Sequence, residues 1–209
     1  MPFSYNHLAG RSVERLAALS DGIFGVGMTL LVIDLREPAL LLVHDERALL
    51  HGLFALGPQF TMYAMSFLTL GIFWVGQQAQ LEHLAKSDRH LTWIHLGFLF
   101  CVTLMPFSTR LLAHFVAYRV ALLAYWANIA CLGGALYASW GYAVRHALVR
   151  PEVPPQVPAA ICVRILQAQA LYAVGALLCV FSTGWSIGFL VAVQLVFALA
   201  PHYRPGRGG

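Results

Sequence analysis

The chain has 209 residues, of which 59% are hydrophobic and only 11% charged, where a soluble domain carries about 25% charged residues. A mean hydropathy of +0.71 excludes a disordered chain and points to lipid as the solvent, because a soluble fold of this length must dress its surface in polar groups. The net charge of +4 sits in short connections between apolar runs, with no basic stripe interleaved with aromatics, so it reads as a determinant of membrane orientation and not as a nucleic-acid surface.

Six apolar runs, at about 16–35, 53–76, 91–113, 120–143, 163–182 and 185–200, each approach the roughly 17 to 25 residues that a helix needs to cross about 30 Å of hydrocarbon. They predict an all-α membrane protein with one six-span domain covering residues 1–209. The first run lacks the small-residue cleavage site of a signal peptide. It carries Asp21 about two turns in, where a carboxylate costs several kcal/mol unless it is paired or hydrated. Its partner would be Arg15 or a residue of the second or third helix; the alternative is a ligand for a transported species. Projection at ~100° per residue puts Gly22, Val26, Thr29, Leu30, Ile33 and Glu37 on one stripe with Asp21 pointing away, which favours a structural or hinge anchor. The stripe, thinned by Gly22, Gly25 and Gly27, is either a packing seam or a path shared by several subunits.

The second run ends in Trp74-Val75-Gly76-Gln77-Gln78 and the third begins with Trp93-Ile94-His95. These groups either bond across the bundle to the Arg15–Asp21 region or form an interfacial aromatic belt. Pro106 kinks or ends the third run. On the fourth, Ala130, Gly134 and Ala138 make a small-residue packing face. Arg150 to Pro158, with four prolines, reads as an extended linker. Ser182 to Ser186 is the tight turn before the sixth run.

Little here suggests enzymatic chemistry. Cys101, Cys131, Cys162 and Cys179 lie in apolar runs without C-x-x-C spacing, and read as small hydrophobes. His95 is the one histidine clearly inside a run, which leaves no facing pair for haem and no metalloprotease spacing. Neither Ser20 nor Ser108 sits in a nucleophile elbow. No cofactor is expected, and no metal beyond a permeating ion. The side holding both termini carries Arg11, Arg15, Lys86, Arg89, Arg145, Arg150, Arg164, Arg204 and Arg207, and the other Arg36, Arg47, Arg110 and Arg119. Nine against four places both termini in the cytoplasm.

Several of these segments together resemble the transmembrane protein 175 family, in particular its single-repeat prokaryotic members. The family's Arg-x-x-x-Phe-Ser-Asp signature matches Arg15, Leu19, Ser20 and Asp21, with leucine in place of the phenylalanine. The Gly22-Ile23-Phe24 that follows, Thr29 to Leu35, Ile72-Phe73-Trp74, Trp93 and Leu104 to Thr109 are similar too, so the likeness covers about the first 110 residues.

The resemblance implies six helices per subunit, a homotetramer in a prokaryotic plasma membrane, and first helices lining a central pore that conducts potassium with modest preference over sodium. It implies no carbonyl filter, and no Thr-Val-Gly-Tyr-Gly segment occurs. The family's aliphatic constriction falls on Val26, followed by Leu30 and Ile33, with Thr29 as a polar contact. This is the stripe that projection isolates, and the agreement turns the reading from seam to pore. Arg15, Ser20, Asp21, Gln77, Trp93 and His95 are then a structural network, with Gln77-Gln78 standing where many relatives have histidines. Asp34 and Glu37 concentrate cations at the outer mouth. The competing classes are a proton-coupled carrier using Asp21 and a membrane scaffold without transport.

Overall fold

A computed structural model describes residues 12–33, 35 and 44–199. Asp34 and Glu37 lie outside the described residues, as do Arg11, Arg36, Arg204 and Arg207 of the orientation count. The described chain is all-helical: α1 Val13–Ile33, α2 Glu46–Ala55, α3 Gly57–Glu82, α4 Arg89–Thr103, α5 Met105–His114, α6 Arg119–Arg145, α7 Gln156–Leu177 and α8 Thr183–Leu199. Five units are long and apolar enough to cross a membrane: α1, α3, α4 with α5, α6, and α7 with the 3₁₀ turn Leu178–Val180. The sixth, α8, is apolar but has 17 residues. The chain is a multi-pass membrane protein.

Local chemistry sets most of the breaks. Asp45 caps α2 by accepting from the Ala48 amide at 2.6 Å, and Asp88 caps α4 by accepting from Leu91 at 2.8 Å. Pro58 and Pro106 sit in the first turns of α3 and α5, where a missing N–H costs nothing. The third run is accordingly broken at Leu104. Its two pieces still span as one unit, since Ser108 N–H reaches the Leu104 carbonyl at 3.0 Å.

Three expectations need correction. The second run, read from about 53, begins inside α2, a short helix with no buried residue, and the spanning helix starts at Gly57. The proline segment is not extended: residues 151–153 turn, and α7 starts at Gln156 with Pro158 inside its first turn. Among the described residues nothing packs on the centre of the Ala130–Gly134–Ala138 face, where a Cβ on Gly134 would meet no atom within 4 Å. The close approach belongs to Gly133, one residue round the helix, whose added Cβ would collide with the Gln169 side chain of α7.

Helix α6 runs through the centre and packs on α4, α5 and α7, while α1 packs on α3, α4 and α5, and α8 bridges α3 and α7. Phe24, Leu70, Phe98, Val102, Leu122 and Ile129 are at the heart of the core. A buried polar chain ties four helices within it. Gln194 donates to Thr69 at 2.6 Å, Thr69 and Ser66 both meet the Tyr125 hydroxyl at 3.2 Å, and Thr109 donates to Ser66 at 2.8 Å. In hydrocarbon such groups are affordable only when paired. At the α3 C-terminal end, Leu84 bridges Val149 and Arg150 Nε donates to the Leu84 carbonyl at 3.1 Å. The two connections on that side are thus stitched together.

Candidate functional site

Helix α1 has two faces. Leu16, Ser20, Phe24, Gly27 and Leu31, spaced three or four apart, are buried against the subunit. Gly27 makes the close contact there, with its Cβ position 3.6 Å from Val102 and 3.7 Å from Leu70. The opposite face carries Val26, Leu30 and Ile33, which are 58%, 44% and 69% exposed although strongly apolar. A Cβ on Gly22 or Gly25 would touch nothing within 4 Å. The predicted stripe therefore faces away from the subunit's own core, and it is not a seam within the described chain. A cleft of about 370 Å³ runs beside it, between Leu19, Gly22, Val26, Leu30 and Thr103.

Thr29 lies on the same outward face. Its hydroxyl proton goes to the helix backbone, with Val26 O at 2.8 Å and Gly25 O at 3.0 Å. The oxygen lone pairs remain free to accept or to solvate a cation.

Ser20 and Asp21 anchor the helix through separate sets of partners. The buried set joins Ser20 Oγ to His95 Nε2 at 2.8 Å, and Gln77 Nε2 to Ser20 Oγ at 2.9 Å and to His95 Nε2 at 3.1 Å. The Ser20 hydroxyl also donates to the Leu16 carbonyl at 2.8 Å; an imidazole with its proton on Nδ1 accepts from Gln77, and one with its proton on Nε2 donates to Ser20. The outer set holds Asp21 Oδ1, which accepts from Trp74 Nε1 at 2.8 Å and from Gln78 Nε2 at 2.6 Å. Asp21 thus has charge-assisted partners on α3. Among the described residues, neither the Arg15 nor the Trp93 side chain makes a hydrogen bond to these groups: Arg15 is exposed, and Trp93 is 63% exposed.

Trp74 and Gln78 belong to the run that the sequence offers as cross-bundle partners of the Arg15–Asp21 region, though not to the six residues assigned to the network; they bond Asp21 while Gln77 takes the buried set.

The family described as endosomal/lysosomal potassium channel TMEM175 matches residues 15–106, the stretch that carries α1, both anchoring sets and the break before α5. A protein named a potassium channel, from Streptomyces collinus, is 31% identical over 192 residues, 90% of this chain and 84% of its own length. The likeness thus extends well past residue 110. The crystal structure of a lysosomal potassium-selective channel TMEM175 homolog from Chamaesiphon minutus superposes with a TM-score of 0.77 at 26% identity, over 90% of this chain and 97% of that one. The human endosomal/lysosomal proton channel TMEM175 is 33% identical over 92 residues, 42% of this chain but 18% of that protein. With a relative 31% identical over 84% of its own length and the family model matched over residues 15–106, the chain belongs to the TMEM175 family, a family of ion channels and not of enzymes.

Proposed function

We propose that the protein is a potassium-permeable cation channel of a prokaryotic cell membrane, with α8 as its sixth span and both termini in the cytoplasm. It acts as a homotetramer whose α1 helices surround a central pore. The observation that carries this reading is the outward face of α1: Val26, Leu30 and Ile33 stand clear of the subunit on a helix whose other face is fully packed. Four such stripes around an axis form apolar rings that gate by dewetting. Potassium sheds its water more readily than sodium, so an aliphatic ring favours it, and the Thr29 oxygen replaces part of the lost hydration. Ser20, Asp21, Gln77 and His95, with Trp74 and Gln78, set the rotation of α1 and hence the side chains that face the ion. Asp34 and Glu37 are assigned to the outer mouth as concentrators of cations.

Purified protein in liposomes tests this. Potassium flux is expected down its own gradient with no proton gradient applied, and Val26→Ala or Leu30→Ala is expected to raise it several-fold or weaken the preference over sodium. Unchanged currents from both variants remove the α1 stripe from the pore. Flux that strictly requires a proton gradient supports a carrier using Asp21 instead, and no flux under any gradient supports a scaffold.

A further inference from the structure

Between α3, α7 and α8 lies a lateral cleft of about 480 Å³, within the roughly 300–1,000 Å³ range of ligand sites, with Trp74 of the Asp21 anchor at its edge and no residue of the α1 stripe in its lining. It opens because α7 packs chiefly on α6 and α8, and because Gly71, Gly76, Ala79 and Ala168 remove bulk from the facing surfaces of α3 and α7. The walls are apolar, with Ile72, Val75, Ile165 and Phe197 among them. From Leu68 to Ala79 the cleft follows α3 for about 17 Å at 1.5 Å per residue, close to half of a hydrocarbon core about 30 Å thick. That length matches one acyl chain of one leaflet.

Among the described residues the cleft has a single charged lining residue. Arg164 lies about two turns into α7, on the side where the connections after α3 and α6 meet. It is exposed, and among the described residues no carboxylate or carbonyl binds its guanidinium. No acidic residue among the described ones lines the cleft. An arginine at this depth snorkels towards the headgroups, and a guanidinium offers a fork of donors that suits phosphate. We propose that this cleft is a binding site for an anionic phospholipid of the leaflet at the α7 N-terminal end, with one acyl chain between α3 and α7 and the headgroup phosphate on Arg164. The site is separate from the proposed pore, and takes from that reading only which membrane face is cytoplasmic.

Native mass spectrometry of the detergent-purified, delipidated full chain, titrated with phosphatidylglycerol or with phosphatidylcholine, tests the assignment. Phosphatidylglycerol is expected to bind more tightly, at one per subunit. Arg164→Gln, which breaks no bond within the described structure, is expected to weaken phosphatidylglycerol about fivefold and phosphatidylcholine, whose phosphate is offset by its own choline, by clearly less. Ala168→Phe fills the cleft and is expected to displace both lipids at an unaltered melting temperature. Equal binding of the two lipids by the native chain, or no effect of Arg164→Gln, reduces the lipid to an annular one and overturns the site. A disulfide between subunits joining Val75→Cys and Ile165→Cys overturns it as well, since a neighbouring subunit then fills the cleft. Lipid preference without potassium flux overturns the pore reading alone, and flux without lipid preference overturns the lipid site alone.

Discussion

Ser20 and Asp21 are adjacent in the chain, yet their side chains point ~100° apart around α1, so one reaches the α4 histidine and the other the edge of α3. The two sets should therefore be energetically independent. Ser20→Ala removes one of the two contacts made by Gln77 Nε2 and by His95 Nε2 but leaves the 3.1 Å contact between them, a loss of about 1 kcal/mol. Interhelical hydrogen bonds in membranes average about 0.6 kcal/mol in double-mutant cycles. Cycles on purified protein, read by thermal or denaturant unfolding, should show coupling of that order for Ser20→Ala with His95→Ala, and for Asp21→Ala with Trp74→Phe. The cross pair, Ser20→Ala with Trp74→Phe, should be additive; strong coupling there would merge the two sets into one. Sequence reasoning placed Ser20, Asp21, Gln77 and His95 in a single group with Arg15 and Trp93. Periodicity tells which residues share a face of one helix, but not how far a neighbouring helix is rotated towards it. Hence it could not separate Gln77 from Gln78, or see that Trp93 turns outward.

Between elements, two glycines on the C-terminal half decide how closely the helices approach. A Cβ on Gly175 would lie 2.6 Å from Leu190 Cδ2 and 3.1 Å from Leu190 Cγ and Phe189 Cδ1, with Leu190 itself fully buried. A Cβ on Gly133 would also collide, but with the flexible Gln169 side chain, which has the α3–α7 cleft to swing into. Gly175→Ala is therefore expected to destabilise the protein by about 1–3 kcal/mol through overpacking, and Gly133→Ala by clearly less. The melting temperatures of the two variants check this, and the reverse order would mean that Gln169 is held where it stands. Neither glycine stood out in the sequence, because a small residue signals close approach only when the facing helix is known. Gly134, the centre of the more regular small-residue pattern, faces away from the bundle instead. Helix α2 was hidden for a related reason: its apolar Leu49, Leu50, Leu53 and Phe54 sit beside Glu46, Arg47 and His51, too mixed for a span. Gly57-Pro58 does mark where the spanning helix starts afresh. The six apolar runs were legible because a bilayer demands some 20 apolar residues whatever they pack against.

For the whole molecule, the described residues leave an apolar stripe on α1 uncovered, and the proposed pore, built from one helix per chain, requires several chains. Gly22 makes this testable, because a Cβ added there would meet no atom of another described element within 4 Å. Within one chain, Gly22→Ala is free of clashes and gains about 1 kcal/mol of helix propensity, and Gly22→Leu is free of backbone strain. Any damage from the larger side chain therefore reports on the space between subunits. Cross-linking of the purified native chain is expected to run to a tetramer. Gly22→Leu is expected to shorten that ladder or abolish potassium flux at an unchanged helical content by circular dichroism, while Gly22→Ala preserves both. A native ladder that stops at a dimer contradicts the tetramer. A Gly22→Leu protein that cross-links and conducts like the native chain takes the glycine face of α1 out of the assembly, because four leucines cannot enter a close-packed helical ring unnoticed.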